Sequence, residues 1–227
     1  AVLILYPNGY NMTDLKTPPF SSGEAAYASL IDALRSGDFA PGDRLREEDV
    51  AKRLNLSRTP VREALRRLEN NGIVEHRPRI GAVIRKLSQT EVVELYEMRI
   101  VLERTAARMA AQHGSEAEFD ALDDMNARIL DAQNTPTLGA AINQDFHEAL
   151  YRAARNRFLL TSAEAINNAL ILLGPTTYLD PDRILIVVSQ HGEVTTALRQ
   201  RDGDKAADAA ESHLQTSLRY RLKGMSA

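Results

Sequence analysis

The sequence has 227 residues, of which 44% are hydrophobic and 26% charged, and its formal net charge is −3. This length suits two modest domains, and the ordinary balance of residue types excludes wholesale disorder. The lack of cysteine excludes disulfides and thiolate chemistry, and no apolar run approaches the roughly 20 residues of a membrane span, so a cytoplasmic protein is expected.

Three parts can be distinguished along the chain. Residues 1–20 are predicted to be a flexible N-terminal arm, and 21–87 and 88–227 are predicted to be two folded domains. The junction is marked by Ser88 followed by Glu91, a capping-box pattern that begins a new helix.

The first domain shows helical patterns followed by a hairpin. Apolar residues recur at helical spacing over about 24–36 and 47–54. A third helix is predicted after Ser57, with Pro60 in its first turn. Short strand-like runs within 73–85 then predict a β-hairpin. This order of elements is that of a winged helix-turn-helix.

Charge differs between the two halves of the chain. Residues 24–86 hold 13 Lys and Arg against 10 Asp and Glu, whereas the remainder holds 15 against 21. A basic segment joined to an acidic one indicates that nucleic acid binds at one end only.

The third predicted helix carries Arg58, Arg62 and Arg66 at four-residue steps, so they share one face. An arginine row alone is more often a solvated helix face. After two short helices and before a basic hairpin, it predicts a recognition helix in the major groove, where arginine pairs with guanine. The complete set of predicted DNA contacts is Arg46, Ser57, Arg58, Thr59, Arg62, Arg66, Arg79 and Gly81.

The second domain shows helical patterns throughout. Short segments of Gly, Pro, Asn and Asp separate the helices, and this pattern predicts a six-helix antiparallel bundle and a mainly α protein. The predicted helices cover about 89–112, 115–132, 136–154, 157–173, 181–201 and 204–222.

Three of the five histidines, His147, His191 and His213, fall inside these helices. His191 and His213 lie symmetrically about the turn at Asp202–Gly203, so an antiparallel hairpin sets them opposite each other, about 16 Å from the turn. Asn143 lies one turn before His147 on the same face. A lone helical histidine is usually structural, but imidazoles converging in a bundle are typical of a divalent-metal site.

The first domain resembles the winged-helix signature of the GntR family of bacterial regulators, on the segments 37–45 and 54–68. The resemblance implies a homodimer on a palindromic operator. It also implies DNA contacts and a wing glycine at the matching positions, which are Ser57, Arg58, Thr59, Arg62 and Gly81.

Residues 91–222 resemble the FCD sensor domain of the FadR branch of that family, and the six helices are most similar to its VanR-like subgroup. The resemblance implies a divalent metal (Zn, Ni, Mn or Fe, which the residues do not distinguish) held by an Asp and three His. The histidines match His147, His191 and His213, but Asn143 stands at the Asp position. An amide contributes no charge, so weaker metal binding is expected.

Effectors of such domains are commonly small organic acids, and the resemblance makes Arg99 a candidate to bind the effector carboxylate. An ion pair with Glu103, four residues later, is an equally weighted alternative for Arg99. The resulting expectation is a non-enzymatic transcription factor that binds double-stranded operator DNA and a small carboxylate. Two alternatives remain: a metal-dependent hydrolase using the three histidines, and an architectural DNA binder that senses nothing.

Overall fold

The computed structural model describes residues 22–174 and 176–225; the predicted arm, 1–20, lies outside them. In this described part no helix is both long and apolar enough to cross a membrane. Its α-helices are α1 Ser22–Arg35, α2 Glu47–Leu54, α3 Arg58–Asn70, α4 Gln89–His113, α5 Glu116–Asp131, α6 Pro136–Ala153, α7 Arg157–Ala169, α8 Pro181–Arg199 and α9 Gly203–Met225. The strands are β1 Val74–Arg77 and β2 Gly81–Ile84, and short 3-10 turns occur at Ala132–Asn134, Leu170–Leu173 and Thr177–Leu179.

The predicted mainly α fold, a winged helix-turn-helix followed by a six-helix bundle, is confirmed. The helix predicted over 157–173 differs in its last turn. Regular α-helix ends at Ala169 and a 3-10 turn continues to Leu173, followed by Gly174 with φ 74°. The tighter turn directs Leu172 into the first domain, and only a glycine adopts such a φ without strain.

The first domain packs α1, α2 and α3 against the hairpin. Apolar side chains from each element, including Leu30, Val50, Leu68 and Ile84, are almost completely buried in one cluster. The strands pair antiparallel, with Val74 opposite Ile84 at the base. Burial of the apolar face of each short helix supplies the stability that helices of this length lack in isolation.

The wing turn holds an arginine in an unusual backbone conformation. The N–H of Ile80 donates to the carbonyl of Arg77 at 3.1 Å, with Pro78 and Arg79 between them. Arg79 has φ 66°, the position of a type II turn that normally takes glycine, and this costs about 1 kcal/mol. Gly81, with φ 97°, then begins β2.

The second domain is built around α4, which is 25 residues long. The predicted capping box is present: Ser88 accepts from the N–H of Glu91, whose side chain accepts in turn from the N–H of Ser88. The helix packs against α6, α7, α8 and α9. The helices α8 and α9 form the antiparallel hairpin expected from the short turn between them.

The two domains share apolar packing. Leu172 of the 3-10 turn after α7 is buried in the same cluster as Leu30 and Phe39 of the first domain. Ile171 and Leu218 of the second domain pack against that cluster from its edge. The first domain therefore completes its core with side chains from the second.

Candidate functional site

The recognition helix α3 presents its arginines to solvent. Arg58, Arg62 and Arg66 are exposed, whereas Val61 and Leu68 on the opposite face are buried against α1 and α2. The four-residue spacing of the arginines has the consequence expected from the sequence, namely one charged face and one apolar face.

Two of these arginines are held by acidic residues at the start of α2. The Arg62 guanidinium donates to both carboxylate oxygens of Glu47, at 2.8 and 2.9 Å, and Arg58 lies 3.0 Å from Glu48. The hydrogen bond from Arg62 holds the pKa of Glu47 below its ordinary value. Exposed pairs of this kind contribute about 0–1 kcal/mol, so they orient the arginines but release them at little cost.

The N-terminus of α3 leaves hydrogen-bond donors available. Ser57 is the N-cap residue, but its side chain makes no capping hydrogen bond, and both Ser57 and Thr59 are exposed. Hydroxyls and backbone N–H groups at a helix N-terminus are suited to a phosphate oxygen. Arg67, adjacent to the arginine row in sequence, instead lies 4.2 Å over the ring of Tyr27 of α1.

The remaining predicted DNA contacts also lie at accessible positions. Arg46 is exposed at the start of α2, Arg79 is exposed at the tip of the wing, and Gly81 is half-buried beside it. Every residue of the predicted DNA-contact set therefore keeps some surface open to a ligand.

In the second domain the three histidines converge. The ring centroids of His147 and His191 are 5.4 Å apart, those of His147 and His213 are 5.2 Å apart, and those of His191 and His213 are 4.6 Å apart. One ring nitrogen from each lies within 4.8 Å of the others, and all three side chains are buried. The mirrored positions of His191 and His213 about the turn do bring them opposite each other, with their rings tilted by 55°.

Neighbouring polar groups orient two of the rings. His147 Nδ1 lies 2.6 Å from Glu103 Oε1, and His213 Nδ1 lies 3.3 Å from Gln190 Oε1. Gln190 is itself fixed, because its amide donates to the hydroxyl of Thr216 at 3.1 Å. A proton on Nδ1 of each ring would satisfy both oxygens and leave Nε2 with a lone pair, the usual arrangement for a metal-ligating histidine.

His191 has no such orienting partner. Its ring stacks on Phe146 with centroids 3.8 Å apart, and among the described residues neither of its buried nitrogens has a hydrogen-bond partner. A buried polar atom without a partner costs free energy. A metal ion at the centre of the cluster would remove that cost, so the residues fit such an ion.

Burial keeps the three imidazoles neutral. Desolvation lowers the pKa of His147 and holds the pKa values of His191 and His213 well below the usual range. Neutral imidazole is the form that binds a metal ion. The cluster is therefore in the ligating state at neutral pH without losing protons.

Asn143 lies one helical turn before His147, and both line the same cavity. Its Oδ1 is buried and has no hydrogen-bond partner in the described chain. A buried amide oxygen without a partner is a competent neutral ligand. The predicted four-residue set is therefore compatible with the structure.

The histidine cluster opens on a cavity of about 400 Å³ that both domains line. The second domain contributes Arg99, His147, Tyr178 and Arg183, among others. The first domain contributes the end of α1 and the turn that follows it, through residues 34–41. A small organic molecule fits a cavity of this size.

Arg99, the predicted effector contact, forms the ion pair with Glu103 that was its alternative interpretation, and its role as an effector contact stays a prediction. It lines the cavity, and its Nε lies 3.5 Å from Glu103 Oε2 in a buried pair. Because Arg99 and His147 lie on its two sides, the pKa of Glu103 stays below its ordinary value in spite of complete burial. Glu103 therefore compensates the charge of Arg99.

Sequence reasoning missed three residues of this site. The sequence assigned Glu103 only to an ion pair with Arg99, and it assigned no role to Gln190 or Arg183. The spacing of Arg99, Glu103 and the buried Ala106 on one face was a signal that α4 buries charge. Nothing local marks Arg183, because an arginine in the first turn of a helix is ordinarily solvated.

Comparison with known protein families identifies both domains. Residues 22–84 match the family described as bacterial regulatory proteins, gntR family, and residues 94–216 match the FCD domain. These two ranges correspond to the winged helix-turn-helix and to the helical bundle.

Individual relatives agree with this assignment. The chain is 28% identical to the uncharacterized HTH-type transcriptional regulator YdhC of Bacillus subtilis, covering 82% of this chain and 85% of that protein. It is 30% identical to the HTH-type transcriptional repressor RspR of Escherichia coli, covering 78% of each. The solved structure of E. coli McbR/YncC has the same fold, with a TM-score of 0.78, 21% identity, and coverage of 90% of this chain and 99% of that one.

The buried neutral histidines predict a pH-dependent stability. Below about pH 6.5 His191 and His213 are protonated in the unfolded chain but stay neutral in the folded protein. The free energy of unfolding therefore falls as the pH is lowered. Each such histidine contributes about 1.4 kcal/mol per pH unit to the slope. Chemical unfolding of chelator-treated protein between pH 7.5 and 5 measures this.

In His191→Gln the slope of the unfolding free energy against pH is expected to fall by the amount that one proton contributes. The matched control is His76→Gln, an exposed position on β1, which is expected to keep the wild-type slope. Equal slopes in the wild type and His191→Gln would contradict the burial of neutral His191.

Proposed function

We propose a function on the premise that this chain belongs to the GntR family of bacterial regulatory proteins and carries an FCD domain. It is a transcriptional regulator of that type. The proposal is that a homodimer represses transcription in the cytoplasm by binding a palindromic operator, and that a small organic acid in the second domain changes this affinity. The observation that carries the proposal is the cavity wall shared by both domains.

The proposed DNA contact places α3 in the major groove. Arg58, Arg62 and Arg66 then face base edges, and Ser57 and Thr59 face phosphates. The exposed row of arginines and the uncapped N-terminus of α3 support this arrangement. Arg79, held at the tip of the wing by its strained turn, is proposed to contact the neighbouring backbone or minor groove.

Replacing Arg62 with alanine is expected to weaken operator binding by about 1–3 kcal/mol, because a bidentate base contact is lost. Fold stability should change little, since the pair with Glu47 is exposed. Fluorescence anisotropy with DNA from upstream of the gene measures the change. Arg152→Ala, which removes another exposed ion-paired arginine, is the control; equal affinities of the two variants would argue against base contact by Arg62.

We propose that His147, His191 and His213, with Asn143 as a neutral fourth ligand, hold a divalent metal ion. The convergence of the rings, their neutral state and the unpartnered nitrogens of His191 support it. When bound, the ion would supply a positive charge at the wall of the cavity and open positions for an anionic ligand. Glu103 and Gln190 would keep the rings in the ligating tautomer.

Changing Asn143 to aspartate is expected to raise the affinity for Zn²⁺ or Ni²⁺ by roughly tenfold or more, because a charged oxygen replaces a neutral one. Calorimetric titration of chelator-treated protein measures the affinity, and elemental analysis gives the stoichiometry. His191→Gln should abolish binding. If neither wild type nor Asn143→Asp binds a metal, the three histidines are structural.

The proposed effector site is the cavity between the domains, with Arg99 among its wall residues. Residues 34–41 join the helix α1 to the segment before α2, whose acids hold Arg58 and Arg62. A ligand that contacts residues 34–41 can bias the placement of the DNA-reading elements, because it binds one arrangement better than another. A ligand cavity shared by both domains does not favour the alternative of an architectural DNA binder that senses nothing.

The hydrolase alternative is not favoured by the site. A hydrolase needs a free base beside a metal-bound water. Glu103 is the buried carboxylate beside the described histidines, and it lies between Arg99 and His147. Its charge is used to hold those two groups in place, so it is poorly suited to accept a proton from water.

For the homodimer we propose the outer face of α4 and α7 as the interface between two copies. This face, which we call the α4–α7 face, exposes Met98, Val101 and Phe158, with exposed fractions of 50, 56 and 80%. The two helices contact each other, and exposed large apolar side chains on neighbouring helices are typical of an association site. A two-fold axis through such a face would set the two α3 helices on the half-sites of a palindrome.

Val101→Asp is expected to shift the dimer towards monomer, because a charge is placed in the proposed interface. Sedimentation velocity at micromolar concentration measures the shift. Leu185→Asp is a matched control, since Leu185 on α8 is equally exposed at 56% but lies outside the α4–α7 face. Dissociation by Leu185→Asp and not by Val101→Asp would place the interface elsewhere.

A further inference from the structure

Arg183 is the most deeply buried charged side chain of the cavity wall, and the known role of the domain does not account for it. It is the third residue of α8 and is 1% exposed, yet its side chain lines the cavity between the two domains. Arginine is rarely buried to this extent unless it is paired with an acidic group.

The hydrogen bonds of Arg183 are incomplete. Its Nη2 donates to the hydroxyl of Ser217 at 2.6 Å, and its guanidinium lies 5.0 Å from the ring centre of Tyr220. Its Nε and Nη1 are buried without a hydrogen-bond partner, and no carboxylate of the described chain forms an ion pair with it. Two donors and a full positive charge therefore remain uncompensated inside the protein.

Arg99 provides the contrast within the same cavity. It is buried to a similar extent, but Glu103 lies 3.5 Å away and compensates its charge. Among the described residues, two buried arginines thus share a cavity with one buried carboxylate. Arg183 is the arginine without a carboxylate partner, and an anionic ligand can supply the negative charge.

We propose that Arg183, rather than Arg99, binds the carboxylate of the effector in this cavity. The proposal rests on the proposed function, in which the cavity is the effector site. A guanidinium matches a carboxylate in a bidentate geometry, which accounts for the two unused donors.

Other groups around Arg183 suit the same ligand. The hydroxyl of Tyr178 lines the cavity and is buried without a partner in the described chain. Burial raises the pKa of Tyr178, so the hydroxyl remains a donor to an anion. Ser217, which accepts from Arg183, donates to the carbonyl of His213 at 3.0 Å and so connects the anion site to the histidine cluster.

The test measures binding of acetate, lactate and succinate, and of the amides of these acids, to the full chain, both chelator-treated and with Zn²⁺ added back. Thermal shift and calorimetry are applied to wild type, Arg183→Gln, Arg99→Gln and the surface control Arg152→Gln. Wild type is expected to bind at least one acid and to prefer it to its amide. Arg183→Gln should lose on the order of tenfold to a hundredfold in affinity together with that preference.

Melting temperatures without added acid separate a ligand role from a structural one. Arg183→Gln removes an uncompensated buried charge and is expected to melt at the same temperature as wild type or higher. Arg99→Gln leaves Glu103 without its cationic partner, so it should melt lower while still binding the acid. A structural arginine at position 183 would show the opposite, a lower melting temperature.

Three results would overturn the assignment of Arg183: unchanged acid affinity in Arg183→Gln, a destabilised Arg183→Gln, or no acid binding by wild type. Operator binding of wild type, with and without the bound acid, is measured separately. If the acid binds through Arg183 but does not change the affinity for operator DNA, the assignment of Arg183 stands and the proposed regulatory function is refuted.

Discussion

A single buried carboxylate, Glu103, sets the electrostatics of the second domain. It lies between Arg99 and His147, and both would be costly to bury without it. Its carboxylate lies 2.6 Å from the His147 ring, and through Arg99 it compensates one positive charge of the cavity wall. The contact that orients His147 and the identity of the uncompensated arginine, Arg183, both follow from where this one carboxylate is placed.

The cavity lies at the contact between the two domains. Leu172 is buried in the core of the first domain, so the two domains meet through apolar contacts and not through a solvated linker alone. The cavity lies where this packing is incomplete, bounded by residues 34–41 on one side and by the histidine cluster on the other. A ligand placed there touches both bodies at their joint, where a small change in packing has the largest effect on their relative placement.

Local patterns were sufficient to predict most of the fold. Helix spacing, the capping box at Ser88 and the arginine steps of α3 each involve residues within one turn of each other, and the structure agrees with them. The pairing of His191 with His213 was also within reach, because a short turn between two helices fixes their register. The roles of Arg183 and Gln190 were not, since burial and partners of a side chain depend on which distant helix packs over it.

The family match and the structure divide the explanation between them. The two family assignments account for the winged helix and for the helical bundle. They do not account for the charges inside the bundle, which belong to particular side chains of this chain. Asn143 is one example, because a neutral amide at that position changes the charge around an ion without changing the fold.

The acidic residues at the start of α2 also affect how the protein searches DNA. Glu47 and Glu48 travel with the recognition helix and keep its arginines partly neutralised until a base edge competes for them. If these arginines contact DNA as proposed, fewer counterions would be displaced when the protein meets phosphates at random, so encounters with unrelated sequence would be brief and depend less on salt. The arginines would leave Glu47 and Glu48 only at a site whose hydrogen bonds replace those ion pairs, which would lengthen the residence time at the operator relative to the rest of the chromosome.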